Sequence, residues 1–395
     1  MASNQREIER KEKQLKKDKK HKVIIWIIIA VVVLVLAIMK ICEININSIM
    51  DRFTDENGAF TLTDGVTENN FPYTLDASQN VSIVNLNNKL GVLTPNSFTV
   101  IDSSDANTDY MFEHGYSNPI LASAGIYSLI YDQGAKHYRL DTVSQAVYEM
   151  DSKSSILCAD VNKNGVVALA TTSKEKTCDI KVYNKALKEL FSYSISGGYI
   201  VDIALNDNAK KVAVAVVNSE NAQLSTTVYS YSIAGDGSDE KAVKLPITTV
   251  ADIKYAGNNI WAVGDDFLGV IKGEKLVTSF DQGSINTVAF SFNQSGELAL
   301  VYGKYSNSTD YVIAYVKPSG KVKNEIAIDS NVKSVCVTTG LVTVLTNDDI
   351  ITYNLRNGEE KSRIATNDSA KSICKIGSGI YIQKQSIIIR GEEEE

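Results

Sequence analysis

The sequence predicts an all-β molecule, a β-propeller of eight blades of four antiparallel strands each (seven as the alternative), preceded by one N-terminal transmembrane helix. Three observations predict it. Hairpin-like segments recur eight times along the 395 residues at a nearly constant period. Their second strands are apolar on both faces, so both faces need cover. A single long apolar run without a charge stands near the N-terminus. Composition agrees, because 19 Tyr against 5 Pro, with few helix-periodic stretches, leans toward strands.

In chain order, residues 1–22 form a basic segment. Arg6, Arg10, Lys11, Lys13, Lys16, Lys17, Lys19, Lys20 and Lys22 precede the apolar run, whereas only Lys40 and Arg52 follow it closely. That asymmetry predicts a cytoplasmic N-terminus, with everything after the run outside the cytoplasm at the cell membrane. The run "VIIWIIIAVVVLVLAIM", Val23–Met39, reaches Ile41 if Lys40 snorkels its ammonium to the headgroups. At ~1.5 Å per residue it spans about 25–28 Å, the short end for a transmembrane helix. No small-residue cleavage site follows it, and "MKI" stands before Cys42, so residues 23–41 are expected to be an uncleaved signal anchor. Residues 42–65 are then an extracytoplasmic spacer and 66–395 the propeller. The net charge of -7 hides opposite parts: residues 1–40 carry ten Lys/Arg and four Asp/Glu, leaving 30 Lys/Arg and 43 Asp/Glu beyond them. So acidic an exterior argues against nucleic acid as a partner.

The repeat is clearest in "SINTVAFSFNQSGELALVYG", Ser284–Gly303, which reads as strand, tight turn, strand. Comparable turns lie near Asn88, Gly125, Gly165, Ala209, Asn258, Gly296, Gly340 and Gly379, spaced 37 to 49 residues apart, the period of a four-stranded blade. Second strands such as "VVALAT", "VAVAVV" and "LALVY" are apolar throughout, third strands such as "YVIAYV" add tyrosines, and fourth strands such as "VKNEIAI" turn polar. A ring packed near its axis and wet at its rim has that gradient. The last unit, "GIYIQKQSIIIRG", lacks a fourth strand, and "NNFPYTLDAS" (Asn69–Ser78) has the length and place to supply it and remove an open sheet edge.

The segment "INTVAFSFNQSGELALVYG" resembles the inner half of a WD40-type or YVTN-type propeller repeat, although no Trp-Asp or Gly-His pair is present. The plan of basic N-terminus, single anchor and divergent propeller resembles an uncharacterised family of Gram-positive envelope proteins of unknown function. That resemblance implies a fold and a location but brings no activity.

Chemistry is sparsely signalled. Beyond the anchor stand only His114 and His137, and no nucleophile elbow, Walker loop or dinucleotide fingerprint is present. His114 falls in an expected loop between blades and is read as solvated. "DVNKNG", Asp160–Gly165, has alternating oxygen ligands followed by Gly, as in calcium loops, but Ala168 stands where a later ligand belongs and Asn-Gly also suits a tight turn. The pairs Asp265–Asp266 and Asp348–Asp349 follow second strands, where solvated turns belong. Cys158, Cys178, Cys336 and Cys374 are read as buried thiols; Cys336 and Cys374 hold matching repeat positions, which leaves a disulfide open. No catalysis, cofactor or metal is expected.

The remaining expectation is a binding face. In such propellers the second-to-third connections and those from a fourth strand to the next blade share one side. "FEHGYSN" contributes Phe112, His114 and Tyr116, "TSKEKT" Lys174, Glu175 and Lys176, "NSENAQLS" Glu220 and Asn221, and "KYSNSTD" Lys304, Tyr305 and Asn307. The function expected is a membrane-anchored, non-catalytic scaffold binding another envelope protein or a wall-associated polymer; the alternative is an enzyme or small-ligand sensor working at the propeller axis.

Overall fold

A hairpin whose second strand is apolar on both faces needs a sheet against each of them, and a ring of sheets supplies that cover without leaving a bare end. The computed structural model describes residues 60–61 and 71–393 except 221, 247, 294, 306–309 and 367–368, with backbone only at 60–61, 220 and 392–393. The basic segment 1–22, the apolar run 23–41, Cys42 and nearly all of the spacer 42–65 lie outside the described residues. No helix among those described is long and apolar enough to cross a membrane.

Eight antiparallel sheets follow one another along the chain, the first seven each ordered from inner to outer strand as the sequence runs. Blade 1 spans residues 82–113, blade 2 119–151, blade 3 156–195, blade 4 199–244, blade 5 250–280, blade 6 286–328, blade 7 332–365, and blade 8 begins at 370. The count is eight, not seven. Of the expected turn residues, Asn88, Gly125, Gly165, Ala209, Gly296 and Gly340 have positive φ; in blades 5 and 8 that conformation falls on Gly257 and Gly377 instead.

The core is divided among the gaps between blades. Along the second strand of blade 3, Val167–Thr172, Val167 and Leu169 pack toward blade 2 while Ala168 and Ala170 pack toward blade 4. Apolar clusters of this kind fill all eight gaps, including blade 8 against blade 1. This explains why the alternation expected of a half-buried strand is missing.

The ring closes through the N-terminal segment. Tyr73 and Thr74 pair antiparallel with Ile388 and Ile387 on the third strand of blade 8, as the sequence led us to expect of Asn69–Ser78. Phe60 and Thr61, inside the expected spacer, pair with Glu393 and Glu392 further along the same edge. The closing strand is therefore two short pieces. Phe71 and Leu75 are buried between blades 8 and 1, and the Leu75 N–H donates to the Ser386 carbonyl at 2.8 Å.

The inner strands carry a second regularity. Six of them bulge at one register position, skipping Leu157, Val201, Ala251, Val288, Lys333 and Lys371. Past four of these bulges, those at Leu157, Val201, Val288 and Lys333, short side chains reach the next blade. One residue past the bulge, Asp202 accepts from the Ile253 N–H at 2.7 Å and Ser334 from the Ile373 N–H at 3.3 Å. Three residues past it, Asp160 accepts from Leu205 N–H at 2.7 Å, Ser291 from Val337 N–H at 3.2 Å and Cys336 Sγ from Lys375 N–H at 3.3 Å. Inner-edge N–H groups that face no further strand are satisfied in this way. Cys336 and Cys374 are both free thiols, so the matching positions reflect the ring register and not a disulfide.

Candidate interaction face

Because the strands of each blade alternate in direction, the second-to-third connections and the outer-to-inner connections all emerge on one side. Among the described residues that side carries 114–118, 173–177, 222, 304–305 and 310. Lys174, Glu175 and Lys176 are exposed there, as are Lys304 and Tyr305, the latter at 76%. Asn221 and Asn307 lie outside the described residues, as does the side chain of Glu220.

Two segments differ from expectation. Strand pairing extends into Asn218–Ser225: Asn218 pairs with Ser225, Ser219 with Leu224 and Glu220 with Gln223, so the hairpin of blade 4 runs past its sheet, and Ala222 near its tip has φ 63°. Ser219 and Gln223 are exposed and Ser225 is buried, and so polar a run reads equally well as loop. Phe112 likewise lies on the outer strand of blade 1, Thr108–Glu113, and not in a connection.

The expected anchors of "FEHGYSN" are half-buried. Phe112 packs on Phe98 and lies under the Arg139 guanidinium, 4.0 Å from ring centre to Cζ. His114 stacks on Tyr116 at 4.9 Å, and Tyr116 on His137 of blade 2 at 5.9 Å. His114 is therefore not the solvated histidine expected, and its burial lowers its pKa against the pull of Asp76 and Asp132. Burial pushes the Tyr116 hydroxyl up to about 12. Beneath them Arg139 Nε donates to Asp141 at 2.9 Å and its Nη1 to Glu149 at 2.9 Å, while the Tyr110 hydroxyl donates to Asp141 at 2.8 Å. Burial raises Asp141 to about 6 although Arg139 opposes it. This cluster fastens blade 1 to blade 2.

At the axis, Asp160, Asp202 and Asp252 stand on three consecutive inner strands, of blades 3, 4 and 5. Burial raises Asp160 to about 6 against the Leu205 N–H it accepts. Asp202 is raised by burial and then by Asp252; Asp252 is raised by burial against Lys254. Among the described residues no group of three His, Cys, Asp or Glu side chains is placed to hold a metal ion. The calcium-like "DVNKNG" spends its oxygens on backbone N–H groups: Asp160 accepts from Leu205 of the next blade at 2.7 Å, and Asn162 Oδ1 from Asn164 at 3.0 Å and Val166 at 3.1 Å. It is a turn.

Sequence reasoning missed the apolar side chains that are exposed on or near this face. Tyr199 is 78% exposed, Leu224 51%, and Val201 and Val288 are exposed at their bulges. Only the Gly-Gly before Tyr199 gave a local signal.

Eight four-stranded blades, closed by an N-terminal strand, define a WD40-like β-propeller. Residues 67–391 match the Family of unknown function (DUF5711), and the chain belongs to that family. No curated protein sequence matches it. Among solved structures it is similar to the C-terminal WD40 domain of Sif2, at 10% identity and TM-score 0.61 over 86% of this chain and all of that one. It is also similar to Sqt1 of Saccharomyces cerevisiae, at 11% identity and TM-score 0.56 over 85% of this chain and 98% of that one. BamB of Moraxella catarrhalis matches at 11% identity and TM-score 0.51 over 84% and 99%. At these identities the likeness is one of fold.

Proposed function

We propose that this protein is a membrane-anchored, extracytoplasmic scaffold, its N-terminus cytoplasmic and its propeller holding another envelope protein or a wall-associated polymer without catalysing a reaction. The observation that carries the reading is the exposure of Tyr305, at 76%, beside Lys304 on the face that also carries the connections 114–118 and 173–177. An exposed aromatic on a rigid scaffold is a ready anchor for a partner. The anchor and orientation rest on the uncharged run Val23–Met39 and the nine cations before it. A reaction or ligand site at the axis would fall to Asp160, Asp202 and Asp252, and the first two already hold backbone N–H groups of the next blade.

Two measurements test this. Protease added to cells stripped of their wall should remove the propeller while sparing the N-terminal segment; digestion only after lysis would overturn the orientation. A photo-crosslinking amino acid at position 305 should capture a discrete adduct in cells, whereas the same group at position 163, on the opposite face, should not. Adducts from neither position, or equally from both, would overturn the scaffold reading.

A further inference from the structure

The seven large apolar side chains exposed among the described residues are not scattered over the ring. Met111 and Met150 lie on the outer strands of blades 1 and 2. The other five, Tyr199, Val201, Leu224, Val288 and Tyr305, belong to blades 4 and 6, on the interaction face or at the mouth of the axial channel beside it.

Local structure fixes each of them in place. Tyr199 opens the inner strand of blade 4 directly after Gly197 and Gly198, which have φ 83° and 71°. A Cβ on Gly198 would meet Val216 Cγ1 at 2.4 Å, so the chain is pinned against its own blade just before the tyrosine turns outward. Val201 and Val288 are residues the inner-strand bulges skip, which takes them out of the ladder. Leu224 sits at the end of the hairpin that outgrows its sheet, and Tyr305 follows the second strand of blade 6. Exposed apolar groups concentrated in one sector mark a surface that is covered in use.

Charge says what covers it. The connections of blades 4 to 6 on this face carry Asp265, Asp266, Asp281, Asp310 and Asp329 against the single cation Lys304. The basic loop of Lys174 and Lys176 belongs to blade 3. A partner that lays apolar side chains here also meets a negative rim, and its own charge must be positive. An anionic or purely hydroxylated polymer would meet like charge or leave the apolar groups bare.

We infer that the blade 4–6 sector binds a cationic polypeptide segment, its apolar side chains on Tyr199, Val201, Leu224, Val288 and Tyr305 and its lysines or arginines against the aspartates. The inference rests on the scaffold reading and specifies the partner's chemistry.

The probe is a fluorescein-labelled octapeptide of alternating lysine and valine, offered to the full chain in phosphatidylcholine nanodiscs with empty discs subtracted. It should bind saturably, and at least about tenfold more tightly than the glutamate–valine or lysine–serine versions. Raising salt to about 0.5 M should weaken it comparably, because the rim charges are exposed. The triple variant Tyr199→Ser, Val288→Ser, Tyr305→Ser and the double variant Asp265→Asn, Asp281→Asn should each lose about fivefold or more at unchanged melting temperature, while Lys163→Gln on the opposite face should lose nothing. Equal affinity for the glutamate–valine peptide, or indifference to both sector variants, would overturn the inference. If the position-305 adduct still forms in cells when Tyr199→Ser and Val288→Ser, or Asp265→Asn and Asp281→Asn, accompany the crosslinker, the partner's chemistry has been misassigned and the scaffold reading stands. If no adduct forms even with the parent chain, the scaffold reading itself falls.

Discussion

Single residues in this ring trade solvation against neighbours in ways a pH titration can read. Asp252 has a folded-state pKa near 6, raised by burial over the ordinary aspartate value of 3.8, with Asp202 and Lys254 as its charged neighbours. The folded state then holds a proton that the unfolded chain has released, so stability falls as pH rises from about 4 to about 6 and stays lower above that. Asp252→Asn is therefore expected to raise the melting temperature by a few degrees at pH 7.5 and to converge with the parent at pH 4, by calorimetry on the full chain. Equal melting at both values would mean that the channel solvates this carboxylate fully. Asp160, also raised to about 6, is a poorer site for the same change because it accepts the Leu205 N–H. None of this was legible in the sequence. Asp160, Asp202 and Asp252 stand 42 and 50 positions apart, and only the packing of consecutive blades makes them neighbours. The burial of Phe112 was hidden for the same reason, since Arg139 that covers it comes from the next blade.

Strands and turns were far more legible, because their signals are local. Second strands apolar on both faces and turns with Asn or Gly at positive φ give each blade away within about forty residues. The bulges gave no such warning: skipping Val201 or Val288 changes which side chain is exposed without changing the apolar pattern. Past those bulges, the staples between inner strands should be individually modest. Replacing Ser291 and Ser334 together by Ala leaves the Val337 and Ile373 N–H groups without those acceptors and should cost about 1 kcal/mol per site, measured by urea unfolding. No measurable cost would show that water in the channel takes over. The closing strand is a stronger device. Leu75, 7% exposed between blades 8 and 1, should cost roughly 2–4 kcal/mol when changed to Ala. A change below ~0.5 kcal/mol would mean the ring is held closed without this strand's packing.

At the scale of the molecule, the core is eight shared gaps rather than one centre, and every blade lends a face to both neighbours. A blade that left the ring would bare two apolar sheets at once, so partial unfolding is disfavoured. Trp261 is a natural reporter, buried with its indole N–H donated to the Gly296 carbonyl of blade 6 at 2.8 Å. In a Trp26→Phe background, its fluorescence and the far-ultraviolet circular dichroism of the full chain should give the same urea midpoint. Separate midpoints would show that blades 5 and 6 come apart on their own.

The two-piece closing strand also decides how this ring meets a pull. Phe60–Thr61 and Tyr73–Thr74 lie in sequence along one edge of blade 8, each held by a pairing only two residues long. Tension entering through the chain before residue 60 loads the first pairing alone, and it peels before the second feels the strain. The eleven residues between them, 62–72, have a contour of about 36–40 Å at ~3.3–3.6 Å per residue, against roughly 13 Å of edge between Glu392 and Ile388, so the chain gains about 25 Å while Tyr73 and Thr74 still latch the ring. The seam is thus a fuse in series with a latch: under load the N-terminal chain lengthens before the ring opens.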